Sequence, residues 1–561
     1  TVSNNTSTGD DPQISEAGGI SVSTENDSSN KHIRIVNSII SSNTASGGSS
    51  TGGLLIFNID SVTIASTEIN GNSGMYTGGL YTNQVNYFNM SSSLVAENTG
   101  LYYGGVSFLA TANENPAQIT NCTITNNSYT DLGSEGNAAE LMVERVAFIT
   151  VLNSIIVSEQ TPAVTVGNHD TNGSAELTIG YSLISDGQDS IDVYEDGTLI
   201  WGDGNINADP MFVDTANGDY PLLASSRCIN GGNPGSTADS DGTVADMGAY
   251  PYLNSYSGPT WYVDTEGNDT TGTGASDDPF SSVQAGINFS SDADSVTVAA
   301  GTYVENINFR GRNIKVVGAD RETTIIDGDS LGTVVYMAAC SNASMLSGFT
   351  LQNGAGVNGG GLYLFNSEPV LFNLLITENS ASTNGGGIYF DYSNPSLENV
   401  TITGNSATGG GGIYFRYFSS PSLENVIIAG NSAGSGGGVY CWLSSNPSLE
   451  NVTITGNSAS YNGGGMYCSS SNPTLTNVTF SGNTASLDGG GMYLNESDPT
   501  QINVTISGNT CTQNGGGVFM VNNSNPSFVN SILWNDSPQE IYLTGASDTI
   551  TVAYPDVQGG Q

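Results

Sequence analysis

Residues able to do chemistry are scarce in this chain. Nine Lys and Arg stand against 53 Asp and Glu, and the two histidines are His32 and His169. The lysines are Lys31 and Lys315, and between Phe349 and Pro526 the lone base is Arg416, next to Tyr414 and Tyr417. Glycoside hydrolysis could run on two carboxylates alone. The acids of this region fall at positions such as Glu398 and Glu424, the edges of alternating segments, and read as solvated. No catalytic residue is assigned, and the sequence predicts a chain that is not an enzyme. Cation binding is the better-supported chemistry. Asp239, Asp241 and Asp246 in ADSDGTVAD have the oxygen-rich, Gly-turned spacing of calcium loops, and Asp264, Asp269, Asp277 and Asp278 form a second acidic loop. Asx-turns explain both clusters about as well, so calcium is the one cofactor considered. Six cysteines lack CxxC spacing, which argues against zinc. Cys441 and Cys468 either fill one core column or lie within disulfide reach.

These residues sit on a repeat. SLENVTITGNSATGGGGIYFRYFSSP, SLENVIIAGNSAGSGGGVYCWLSSNP and SLENVTITGNSASYNGGGMYCSSSNP begin at Ser396, Ser422 and Ser448, a period of 26. A fixed period of this length marks a solenoid whose units are stable only when stacked. Two alternating segments per unit, Leu397/Val400/Ile402 and Ile413/Phe415, put aliphatic and aromatic side chains inside, which predicts an all-β parallel β-helix. The Gly triplets Gly385–Gly387, Gly436–Gly438 and Gly463–Gly465 suit bends that need positive φ and close backbone stacking. Asn405, Asn431, Asn457, Asn483 and Asn509 recur at one turn, where amides could bond along the axis as a structural ladder.

Tyr363, Tyr389, Tyr414, Tyr440, Tyr467, Tyr493 and Phe519 recur between the inward pairs and predict an exposed aromatic stripe. Stacked rings could simply brace neighbouring strands, or they could serve as a platform for sugar rings. Candidate sites for attached sugar are the sequons at Asn89, Asn121, Asn172, Asn268, Asn342, Asn495 and Asn535, and the outward column Thr401, Thr453, Thr479 and Thr505.

The organisation expected is a first β-helix module at 1–205, a cap and linker at 206–258, an opening cap of the second module at 259–335, and a second β-helix at 336–561 with coils of about 26 residues. Within the opening cap, SSVQAGINF reads as a short amphipathic helix. NSIIVSEQTPAV from Asn153 matches NSILWNDSPQEIYL from Asn530, a super-repeat that would leave strand edges at the ends of the chain open to pairing. A net charge of −44 repels nucleic acid and anionic membranes. No apolar run reaches the ~18 residues of a membrane-spanning helix, and the opening TVSNNTSTGDD reads as mature or cleaved material.

The repeats resemble right-handed parallel β-helix proteins of the pectin-lyase-like superfamily. ITGNSA…GGGIY and TFSGNTA…GGGMY are similar to the FxxN and GGA/I/L repeats of polymorphic outer membrane proteins. The stretches DPMFVDTANGDYPL…DGTVADMGAYPY and WYVD…GTYVENI are similar to modules of large bacterial surface proteins with a choice-of-anchor C-terminus. The resemblance implies a bacterial extracellular or cell-surface protein. Relatives that cleave polysaccharides need an Arg or Lys base beside calcium, or clustered aspartates with His and an Arg–Lys pair, and this chain has no GHG or RIK string. The function expected is therefore a secreted structural protein, possessing attached sugar and assembling head to tail with itself into an extracellular fibre. A cell-surface carbohydrate-binding or adhesive protein comes second, with glycans as partners, and a polysaccharide lyase or hydrolase third. Nucleic acid and membrane insertion are excluded as partners.

Overall fold

The structure, a computed structural model, describes residues 1–8, 16–24, 31–110, 116–131, 133, 136–167 and 173–558. It divides into two compact units, Thr1–Ser255 and Tyr256–Gln561.

In the second unit each repeat makes one coil of four short strands. Ser396–Glu398, Thr401–Thr403, Ser406–Gly409 and Ile413–Arg416 follow one another, and Ser422–Glu424 opens the next coil. Stacking generates four parallel sheets of 12, 11, 7 and 10 strands, named here the leucine, threonine, short and tyrosine sheets in that order. Register is kept from coil to coil, so Leu397, Leu423, Leu449 and Leu475 are successive Cα partners. The period-2 alternation predicted from the sequence fills the interior. Leu397, Val400, Ile402, Ile413 and Phe415 are buried, while Thr401 and Thr403 lie half-buried on the outer face.

The corners are set by residues that tolerate a left-handed backbone. Asn399, Asn425 and Asn451 turn from the leucine to the threonine sheet at φ of 57°, 55° and 55°. The Gly triplets have two duties. Gly436 takes a φ of 65°, whereas a Cβ on Gly437 would lie 2.4 Å from the Ser458 carbonyl oxygen of the next coil.

Inside the threonine corner the asparagine amides are fully engaged. Asn379 Nδ2 donates to Asn405 Oδ1 at 3.1 Å, and Asn405 to Asn431, Asn431 to Asn457, Asn457 to Asn483 and Asn483 to Asn509 at 2.8–3.0 Å. Each Nδ2 also donates to a carbonyl of the preceding coil, as Asn457 does to Ile428 at 2.9 Å. The ladder ends on a carboxylate, Asp536, whose Oδ1 accepts from Asn509 Nδ2 at 2.9 Å. Burial, with the Glu540 carboxyl beside it, pushes Asp536 up to about 7.

The helix Val283–Phe289 is capped by Ser282, whose hydroxyl accepts from Ala285 N at 3.3 Å. All seven of its residues are buried, so it is not the amphipathic helix expected; it packs beside the strands Thr260–Val263 and Ser295–Val298 with no solvent-facing side.

The first unit has parallel sheets of 7, 12 and 5 strands and a two-stranded antiparallel ribbon, Phe212–Asp214 with Asp219–Leu222. It has its own ladder, Asn43 to Asn72 to Asn98 to Asn127, which also ends on an acid. Glu140 Oε2 accepts from Asn127 Nδ2 at 2.6 Å. Residues after 206 lie along the seven-stranded sheet: Ala249 N donates to Thr123 Oγ1 at 3.0 Å, Tyr220 Oη to Glu97 Oε1 at 2.9 Å and Tyr250 Oη to Glu68 Oε1 at 3.1 Å.

Candidate functional site

The tyrosine sheet positions the most distinctive side chains. Its second strand position stacks Tyr336, Tyr363, Tyr389, Tyr414, Tyr440, Tyr467, Tyr493, Phe519 and Tyr542, ring centroids 4.5–5.6 Å apart. The exposed stripe expected from the sequence is not what forms. Tyr389, Tyr414 and Phe519 are 0 %, 6 % and 6 % exposed, and Tyr363, Tyr440, Tyr467 and Tyr493 are half-buried. The rings stand one coil apart, so most lie face to face and each covers its neighbour. Burial pushes the Tyr363 hydroxyl up to about 12.

The exposed rings sit at the far end of the same strands. The fourth strand position carries Phe365, Asp391, Arg416, Trp442 and Ser469 in successive coils, with Asp391 and Arg416 as Cα partners. The corner residue that follows is at positive φ throughout; it is Ala339, Asn366, Leu443, Ser470, Glu496 and Asn522 in other coils, but in two coils it is Tyr392 (φ 49°) and Tyr417 (φ 47°). Phe418 adds a second positive φ of 57°. Bulky side chains at such angles cost about 1–3 kcal/mol each and persist where the surroundings hold them.

Arg416 joins these groups. Its Nη1 donates to Tyr389 Oη at 3.0 Å and its Nη2 to Tyr417 Oη at 2.8 Å. The guanidinium carbon lies 4.1 Å from the Tyr417 ring centroid and 5.6 Å from that of Trp442. Asp391 Oδ2 approaches Nη1 at 3.8 Å, and Asp391 is nearly closed off from solvent. Tyr392 stacks on Tyr417 at 5.1 Å, and Tyr417 meets Trp442 at 5.7 Å. Burial works against the Arg416 charge, but the bonds to Tyr389 and Tyr417 and the Asp391 carboxylate outweigh it and hold the guanidinium above its ordinary range. Burial likewise raises Asp391, with Arg416 opposing. A guanidinium held charged in this way fixes the groups around it and is not suited to accepting a proton. Sequence reasoning found Arg416 but gave it no acid; the structure supplies Asp391 from the adjacent coil.

The acidic loops fasten turns. Asp246 is buried, accepts from Asn230 N and Tyr252 N at 2.7 Å each, and is pushed up to about 7 by burial. Asp239 Oδ2 accepts from Asp246 N at 2.8 Å, and Asp241 from Thr243 N at 3.0 Å and Asn254 N at 2.9 Å. Asp264, Asp269 and Asp278 accept from the backbone N–H groups of Glu266, Ser281 and Thr273, and Asp277 is exposed. Among the described residues no three His, Cys, Asp or Glu side chains converge to hold a metal, so as a set these aspartates do not fit the calcium site their spacing suggested.

Of the sequon asparagines, Asn89, Asn268, Asn342 and Asn535 are exposed. Asn121 is half-buried with its Nδ2 donating to the Asp246 carbonyl at 3.0 Å, and Asn495 is half-buried and accepts from Asn522 Nδ2 at 2.7 Å. Asn172 lies outside the described residues. Thr401, Thr453, Thr479 and Thr505 form a half-buried column on the threonine sheet. Cys441 and Cys468 are Cα partners, buried and unbridged.

Comparison with known proteins bears on the fold. A family model described as "Right handed beta helix region" matches residues 285–457 and 433–553. No match is found among curated proteins. Solved structures similar to the chain include pectate lyase Pel9A (16 % identity, TM-score 0.36, covering 53 % of this chain and 78 % of the lyase). Others are the pectin methylesterase of Aspergillus niger (12 %, TM-score 0.24, 55 % and 88 %) and the A-module of the Azotobacter vinelandii mannuronan C-5 epimerase AlgE6 (15 %, TM-score 0.24, 48 % and 92 %). With its in-register parallel sheets and inward aliphatic columns this chain folds as a parallel β-helix, and its residues 285–553 are similar to the right-handed β-helix family.

Proposed function

We propose that the second unit binds saccharide on the outer end of its tyrosine sheet. The observation that carries this reading is the Arg416 cluster, where the repeat departs from its own pattern. Three successive coils place Asp391–Tyr392, Arg416–Tyr417–Phe418 and Trp442 where the two coils that follow have Ser469–Ser470 and Asn495–Glu496. Tyr392 is 47 % and Phe418 64 % exposed, although ordinary packing would favour covering such rings. Apolar ring surface beside fixed hydrogen-bond donors is what a ring with apolar faces and a hydroxylated rim requires. The bonds of Arg416 to the Tyr389 and Tyr417 phenols fix those two rings, and Tyr392 stacks on Tyr417, so little order is lost on binding.

The fibre expected from the sequence gains nothing from the coil geometry and stands behind this reading. Likewise, neither the geometry nor the comparisons support the expectation of a chain without catalysis. The test is a glycan array probed with the whole chain and with Tyr417→Ser and Arg416→Gln variants. Saccharide signals that fall at least ~10-fold in both variants, with circular dichroism unchanged, support the reading. An empty array, or signals indifferent to both changes, overturns it.

A further inference from the structure

The aromatic stack has a direction and an end. Tyr392, Tyr417 and Trp442 come from successive coils, their centroids 5.1 and 5.7 Å apart and their planes 24° and 34° from parallel. Residues in equivalent places of successive coils are separated along the axis by ~4.8 Å, so the faces of these rings look along that axis rather than away from the surface. Within the stack each face is taken by the next ring. Beyond Trp442 no ring follows: its Cα partner in the next coil is Ser469, and the coil after that places Asn495 there. The corner beside them carries Ser470 and then Glu496 in place of an aromatic. The stack therefore stops at the half-buried Trp442, and the two coils beyond it place hydroxyl, amide and carboxylate groups beside its ring.

These groups are already hydrogen-bonded in a way a polyhydroxylated ligand can join. Ser470 Oγ donates to Glu496 Oε2 at 3.0 Å, and Asn495 Nδ2 approaches Ser469 Oγ at 3.4 Å. Glu496 is exposed and has acceptor positions left for a ligand hydroxyl. A pyranose ring laid on the indole would prolong the stack at the spacing the coils impose, and its rim hydroxyls would fall on Ser470, Asn495 and Glu496.

Charge selects between sugars. The cation nearest Trp442, Arg416, is occupied by Asp391, Tyr389 and Tyr417, while Glu496 lies beside it and the chain has a net charge of −44. A sugar carboxylate would meet repulsion without a free cation to offset it. We infer that the face of Trp442 over Ser469, Ser470 and Glu496 is a subsite for an uncharged pyranose unit of a neutral glycan. This rests on the saccharide reading and adds its place, its polar partners and its charge class.

Isothermal titration of the whole chain with cellohexaose, mannohexaose and an oligogalacturonate hexamer, each at low and high salt, tests it. Binding of a neutral hexasaccharide that changes less than ~2-fold with salt is expected, because no ion pair forms. Trp442→Ala should weaken it at least ~10-fold. Ser469→Trp, which keeps the indole but covers its face, should weaken it comparably, and far-ultraviolet circular dichroism identifies either variant that fails to fold. Preferential, salt-sensitive binding of the oligogalacturonate would overturn the subsite while leaving saccharide binding in place. Neutral binding unaffected by both variants would move it elsewhere and overturn the subsite too. Binding of none of the three, with an empty array, overturns both proposals.

Discussion

Replacing Gln501 with leucine is expected to stabilise the second unit. Gln501 occupies the inward column of the leucine sheet, between Leu475 and Phe528 as Cα partners, and is 0 % exposed. The equivalent residues of earlier coils are Leu397, Leu423 and Leu449. Neither Nε2 nor Oε1 of Gln501 has a hydrogen-bond partner. A buried polar group left unpaired costs about 1–3 kcal/mol, and Gln501 has two. Leucine is of similar size and belongs to the column, so little of that relief returns as packing strain. Some relief is lost because the unfolded chain also hydrates the amide, which leaves an expected gain of about 2–4 kcal/mol. A stacked array need not unfold in one step, so the assay is amide hydrogen exchange of Thr500–Ile502 and the flanking strands, read beside the guanidinium midpoint. Slower exchange by one to three orders of magnitude, about 1.4 kcal/mol per decade, is expected. Unchanged or faster exchange would refute the reasoning, since it would mean that the Gln501 amide is satisfied within the core.

Asn457→Ala should cost at least ~3 kcal/mol, because it removes the acceptor of Asn431 N and Nδ2 and the side-chain donor to the Ile428 carbonyl and to Asn483 Oδ1, which keeps only the bond from the 457 backbone N–H; a guanidinium titration that barely moves would show the ladder to be dispensable. Gly437→Ala should disrupt stacking between two coils because its Cβ meets backbone 2.4 Å away, whereas Gly456→Ala, where a Cβ meets nothing within 4 Å, should cost only its backbone strain at φ 62°. Equal losses in the two would refute the close-approach argument. The first unit should be less stable at alkaline than at mildly acidic pH. Burial, against the bonds from Asn127 and Ser158, raises Glu140 from its ordinary 4.5 to about 8, so the stability it contributes is complete below pH 4.5 and is lost as pH rises through 8. The loss is on the order of 4 kcal/mol, and Glu140→Gln should flatten this slope in thermal melts from pH 5 to about 9. A slope unchanged in the variant would assign the effect to another group.

Much of the fold was legible because a solenoid writes its contacts at a fixed offset. Leu397 predicts Leu423 beside it, and the Gly triplets and Asn405–Asn509 mark corners whose backbone angles few residues accept. The candidate site was less legible. Counting back 26 from Arg416 reaches Phe390, an inward residue, whereas its true partner is Asp391 because that coil is one residue shorter. The aligned pairs Ile388/Phe390 and Ile413/Phe415 contained the signal that could have corrected the count.

The sequence alone determined the β-helix, the inward columns, the corner residues and the poverty of cationic groups, since each follows from periodicity or composition. Exposure was decided only by the tertiary structure. Alternation states which side of a strand a ring leaves from, not what will lie over it. Tyr389 and Tyr414 leave outward and are nonetheless covered, while Tyr392 and Phe418 stay open at a strained corner. Which ring faces solvent depends on the side chains one coil above and below, and on the exact number of residues each coil spends to reach them.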